Sequence, residues 1–156
     1  MLKTVLVALD PVDLNTGDLK TSARASMTSQ VMQALQTLHL DATSKLVLSH
    51  VVPTEHLGID VLSDRPPVET QTMGDLWAAH LSAYQEKLPC PSTLEIVTGD
   101  PAEEIIRLAK IHQADLIVIG SRGLTGMQRI LQRSVSSQVF EEAPCSVLVV
   151  KPNTDR

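Results

Sequence analysis

The stretch LIVIGSRGLTGMQRILQRSVSSQV, Leu116 to Val139, concentrates residue types that hold anions. The apolar run Leu116-Ile117-Val118-Ile119 stops at Gly120. Gly123 and Gly126 follow, and then comes a basic, hydroxyl-rich segment with Arg129, Arg133, Ser134, Ser136 and Ser137. A strand that runs into a glycine turn and then a helix start is a common way to hold a phosphate. Glycine lets the backbone approach the anion, and N–H groups of the turn and the first helical turn point at it. The chemistry predicted is nucleotide or phosphate binding at the end of a buried strand. Signatures of catalysis are lacking: there is no GxxxxGK(S/T) loop, no GxSxG elbow and no HExxH pair. A binding protein therefore outranks an enzyme, and no catalytic or metal-ligating residue is assigned.

The elements that must position this stretch alternate. Val5-Leu6-Val7-Ala8-Leu9 is a near-continuous apolar run, as expected of a strand covered on both faces, and Asp10-Pro11 ends it. Ser22 to Leu40 carries Met27, Val31, Leu35 and Leu38 at helical spacing. Leu46 to Val52 is a second strand, closed by Pro53. Residues 53–70, with Gly58, Pro66 and Pro67, read as a long mobile loop. Thr72 to Leu88 reads as a helix with Met73, Leu76, Trp77, His80, Leu81 and Tyr84 on related faces, and Leu94 to Thr98 as a short strand. Asp100 is then a good N-cap, Pro101 suits the first helical position, and Glu103 and Glu104 favour the positive end of the helix dipole. After the strand 116–120, a helix over 135–142 and a last strand over 146–150 complete the chain. The alternation predicts a five-stranded parallel α/β sheet with right-handed crossovers. Its ligand crevice would lie at the carboxyl ends of the strands, where strand order reverses. If the first and fourth strands are neighbours, Asp10 and Gly120 face that one crevice.

Composition bounds the alternatives. With 156 residues the chain has the length of one domain. Hydrophobic content of 43% and charged content of 20% argue against disorder. One Trp, one Tyr and one Phe leave the core to aliphatic side chains and supply too few stacking platforms for single-stranded nucleic acid. A net charge of −5 opposes a broad polyanion-binding surface but not one local phosphate site. Neither Cys90 nor Cys145 belongs to a CxxC pair, so both read as reduced thiols of a cytoplasmic protein, and Cys145 as a packed small residue. No apolar run approaches the ~18 residues of a membrane span, and MLKTVLVALD reads as a first strand rather than a signal peptide.

Four segments together resemble the universal stress protein family along nearly the whole chain: VLVALD, LVLSHVV, GDPAEEIIRLAKIHQADLIVIGSRGLTG and SVSSQVFEEAPCSVLVVK. The resemblance implies a Rossmann-like fold of the adenine nucleotide alpha hydrolase-like kind. That fold is a single domain over 1–156 with a five-stranded parallel sheet in the order 3-2-1-4-5 and helices on both faces. Nucleotide-binding members carry Gly, two residues, Gly, nine residues, then Gly and Ser or Thr. Gly120 and Gly123 match; Arg133 stands in place of the third glycine, followed by Ser134. Carried over by position, the resemblance implies an adenine and ribose site at Ala8, Leu9, Asp10 and Val51, with Ile119 and Gly120 beside them. Gly123, Arg133, Ser134, Val135 and Ser136 would surround the phosphates, and Arg122 would reach toward them. The ligand implied is ATP or a related adenine nucleotide, with magnesium held only through the nucleotide. A homodimer through the last strand, Val147 to Lys151, is implied too, and an unpaired apolar edge strand is an independent reason for pairing.

Arg133 leaves two outcomes open. Its side chain blocks the close backbone approach that glycine permits, or its guanidinium swings over the phosphates as a bidentate partner. The first makes the chain a nucleotide-free interaction module with an unidentified protein partner. The second keeps a nucleotide-binding sensor or regulator, and a slow ATPase or autophosphorylating protein is the weakest reading. Plainer readings stand beside these: Gly120 and Gly123 as turn glycines, Asp10 as a loop or cap residue, Ser137 as a helix cap, Met27, Met32 and Met73 as core filling, and His50 as structural, since no ligand cluster accompanies it.

Overall fold

The computed structural model describes residues 2–9, 22–53, 75, 78–79, 81–82, 84–121 and 135–151, with the side chains of all of these but 22–27, 52 and 53. The strands are β1 (Thr4–Ala8), β2 (Lys45–Pro53), β3 (Ser92–Gly99), β4 (Leu116–Gly120) and β5 (Ser146–Val150). They form one parallel sheet in the order β3-β2-β1-β4-β5. The helices are α1 (Ser22–Thr37), α2 (Pro101–Ile111) and α3 (Val135–Glu142). Between β2 and β3 the described residues Asp75, Ala78, Ala79, Leu81, Ser82, Tyr84 and Gln85 are also helical.

Both faces of the sheet are covered, as its apolar runs require. Val5, Val7 and Leu9 of the first strand and its exit point one way, into a cluster with Val31, Met32 and Leu35 of α1 and with Leu81. Leu6 and Ala8 point the other way, onto Ala102, Ile105, Leu108 and Ala109 of α2 and Val139 of α3. Each fully buried Val, Leu or Ile contributes roughly 1.5–3 kcal/mol, so the aliphatic core needs no aromatic payload. Met32 fills the core as expected; Met27's side chain and Met73 lie outside what is described.

Several boundaries differ from the sequence reading. Helix α1 ends at Thr37 rather than Leu40. Pro53 does not close β2 from outside but is its last residue, opposite Gly99. Strand β3 runs from Ser92, two residues earlier than the alternating pattern suggests, because the whole of β2 beside it offers a ladder partner. The loop expected at 53–70 otherwise lies outside the described residues.

Local chemistry fixes how elements begin. At the amino end, the Asp115 carboxylate accepts from the Thr4 and Lys3 amides, each at 2.9 Å, and its own N–H donates to the Thr4 carbonyl at 2.8 Å. Those amide bonds hold the carboxyl below the usual carboxylate range. At the carboxyl end, Asp100 caps α2 as predicted, its Oδ1 accepting from the Glu103 N–H at 3.0 Å, with Pro101 following. Gly99 enters this cap at φ +150°, and a Cβ there would meet Glu104 Cγ at 2.9 Å. Asp100→Ala is expected to cost about 1 kcal/mol and Gly99→Ala about 1–3 kcal/mol in urea denaturation, with the slope unchanged in both.

Candidate functional site

Strand order reverses between β1 and β4, and there the two strands part. Their pairing runs from Val5 opposite Leu116 to Ala8 opposite Ile119. Beyond it, the described Leu9 and Ser121 amides bond to the outer neighbours. The Leu9 N–H donates to the Ser49 carbonyl of β2 at 2.8 Å, whereas the Ser121 N–H donates to the Val150 carbonyl of β5 at 2.9 Å. A seam therefore opens at the centre of the sheet, at the carboxyl ends of its strands. This is where open α/β sheets take their ligands.

The predicted residues divide around this seam. Ala8, Val51 and Ile119 project to one face and belong to one buried cluster, against which Val135 also packs. Leu9 is brought to the seam by its backbone alone, since its side chain is buried in the opposite cluster. Gly120 ends β4, paired with Val150. Val135 and Ser136 open α3, both half-buried. Three residues separate Glu142 from β5, whose first residue lies opposite the start of β4. Helix α3 thus descends to the amino end of the sheet, and its N–H-rich start is turned toward the carboxyl ends. Asp10, Arg122, Gly123, Arg133 and Ser134 lie outside the described residues. Ser137 is the third residue of α3, inside its first turn rather than at the cap expected for it.

His50 proves to touch the site more closely than the sequence reading suggested. Its Nδ1 lies 3.2 Å from the Leu9 carbonyl oxygen. A carbonyl only accepts, so Nδ1 carries the proton and donates. Burial holds the ring well below its ordinary range, to about 4, although the Leu9 bond pulls the other way. The neighbouring Ser49 is buried, and its Oγ donates to the Val7 carbonyl at 3.1 Å. The signal for His50 in the sequence was its place, one residue before Val51 in a mostly apolar strand. Both cysteines are packed, and burial pushes each thiol up, away from nucleophilic use. Among the described residues no group of three or more His, Cys, Asp or Glu side chains could hold a metal ion, and no helix is long and apolar enough to cross a membrane.

A doubly wound parallel sheet with a seam at its reversal point defines the class: an α/β protein of the Rossmann-like kind. Comparison with known proteins narrows it. The model of the universal stress protein family matches residues 1–151, and the chain belongs to that family. It is similar to universal stress protein YxiE of Bacillus subtilis, 31% identical over 97% of this chain and 100% of that one. With universal stress protein MJ0531 of Methanocaldococcus jannaschii the match is local, 51% identical over 36% of this chain and 34% of that one. Among solved structures, a universal stress protein family protein from Arabidopsis thaliana with AMP bound shares the fold at 22% identity and a TM-score of 0.63, over 99% of this chain and 94% of that one. A universal stress protein in complex with cAMP does so at 22% identity and a TM-score of 0.59, over 97% of this chain and 98% of that one.

The neutral, half-buried His50 makes stability depend on pH. An unfolded ring takes a proton near 6.5 and the folded one near 4, so between these values only the unfolded chain gains a proton. Stability then falls as pH drops through that window, by about 3 kcal/mol from this residue. Urea denaturation between about pH 7 and pH 4 is expected to show that loss in the native chain and to lack it in His50→Asn.

Proposed function

We propose that this protein is a cytoplasmic stress-response regulator that binds an adenine nucleotide at the β1/β4 seam and acts through the bound state. The observation that carries the reading is the seam itself: two central strands part at Ala8 and Ile119, beside the start of α3. Apolar Ala8, Val51 and Ile119 suit the flat face of a base. The N–H groups at the start of α3 suit phosphates, as do the glycines of the segment before it by their residue type. The family's AMP-bound and cAMP-bound structures support an adenine ligand.

In this reading Ala8, Leu9, Asp10, Val51, Ile119 and Gly120 hold adenosine. Arg122, Gly123, Arg133, Ser134, Val135 and Ser136 hold the phosphates, any magnesium arriving with the nucleotide. Arg133 acts as a guanidinium partner in place of a backbone contact. The whole chain, 1–156, works as one domain.

We expect saturable, micromolar binding when ATP with magnesium is titrated calorimetrically into nucleotide-stripped protein. Silence from the native chain, with binding gained in Arg133→Gly, would overturn this in favour of a nucleotide-free interaction module.

The edge strand β5 supports a homodimer through Val147 to Lys151. Among the described residues its one partner in the sheet is β4, and Phe140 on the preceding helix is 65% exposed. Because the Val150 carbonyl faces β4, the alternation of a strand turns the Val149 N–H outward. Val149→Pro is therefore expected to give monomers in sedimentation equilibrium while leaving far-ultraviolet circular dichroism unchanged. Dimers that persist in this variant would count against the edge pairing.

A further inference from the structure

We propose that His50 is a positioning residue for the nucleotide site: by holding the Leu9 carbonyl against β2, it fixes the Leu9 backbone at the β1/β4 seam where the adenosine part enters. The inference rests on the nucleotide-binding reading given above.

Ala8 is the last residue of β1 that pairs on both edges. Up to Ala8 the strand is held on both edges, by β2 and by β4. Leu9 is held on one edge, and by two bonds. Its N–H donates to the Ser49 carbonyl at 2.8 Å, and its carbonyl accepts from the His50 ring at 3.2 Å. The second bond comes from a side chain, so it does not require the β1–β2 ladder to continue. A ring on β2 thereby fixes the Leu9 carbonyl just past the last residue of β1.

The ring is suited to this task. It is half-buried, and its burial keeps it neutral over the physiological range. The carbonyl partner fixes its tautomer, with the proton on Nδ1. Leu9 itself cannot drift, since its side chain is locked in the α1 cluster. Val51, next to His50 in β2, reaches the opposite cluster with Ala8 and Ile119. One dipeptide thus supplies a wall of the site and the anchor that sets the opposite wall.

The test compares His50→Leu, which removes the donor, with His50→Asn, whose amide N–H replaces Nδ1 at the same branch of the side chain. Adenosine, AMP and ATP with magnesium are titrated into the native protein and both variants. Thermal unfolding and circular dichroism accompany each, and ring-nitrogen NMR of the native protein reads the tautomer without ligand. The expected result is a loss of about tenfold in affinity for all three ligands in His50→Leu, equal because the defect lies at the adenosine end, and recovery to within about threefold in His50→Asn. NMR is expected to show Nδ1 protonated and Nε2 not. Native-like affinity in a folded His50→Leu, failure of Asn to rescue, a loss confined to ATP, or an Nε2-protonated ring would each overturn the role. Absence of binding by the native protein would instead overturn the nucleotide reading and the positioning role with it, whatever the tautomer.

Discussion

Strand β1 carries a double constraint: it lies at the middle of the sheet with helices on both faces, and nothing along its length can be left to water. Its side chains must be apolar in both directions, which Val5 to Leu9 are, and its backbone must be paired on both edges. Right-handed crossovers then place β2 and β3 on one side and β4 and β5 on the other. A chain wound outward in two directions from one strand has to part somewhere, and it parts where β1 and β4 end. The seam is thus a consequence of topology, and the side chains around it decide what it can accept.

Those side chains are unequal in kind. Ala8, Val51 and Ile119 are small or branched hydrocarbons on one face, whereas the opposite face at this level is closed by Leu9 packed under α1. The apolar side chains at the seam therefore face the layer that holds α2 and α3. Polar control comes from backbone groups and from two side chains, one buried and one half-buried, that donate to carbonyls of β1 and its exit: Ser49 to Val7 and His50 to Leu9. Buried and half-buried donors of this sort are costly to leave unmade, which makes them specifiers of geometry more than sources of net stability. At the far end of the sheet, Asp115 does the corresponding work on the Lys3 and Thr4 amides. Both ends of β1 are set by side chains from its neighbours.

Much of the frame was legible in the residues. Apolar runs bounded by Asp, Pro and Gly located the strands, and the Asp100-Pro101 pair marked the start of α2 to the residue. These signals are local: periodicity, capping and turn chemistry act within a few residues. Errors fell at boundaries set by partners. Strand β3 is lengthened by the ladder that β2 offers, and Ser137 sits within a helix turn that begins at Val135. His50 read as a lone structural histidine because its partner, the Leu9 carbonyl, is 41 positions away and is a backbone atom that no residue type announces.

By itself, then, the sequence determined the class of fold, the alternation of elements, the aliphatic core and the glycine-rich segment after β4, because each follows from side-chain volume, polarity and backbone freedom read over short windows. Only the tertiary structure decided that β1 and β4 part after Ala8 and Ile119, that Leu9 reaches the seam through its backbone while its side chain is buried on the other face, and that His50 donates to that backbone. These depend on register and on which edge each peptide faces, and both are settled when distant strands pair.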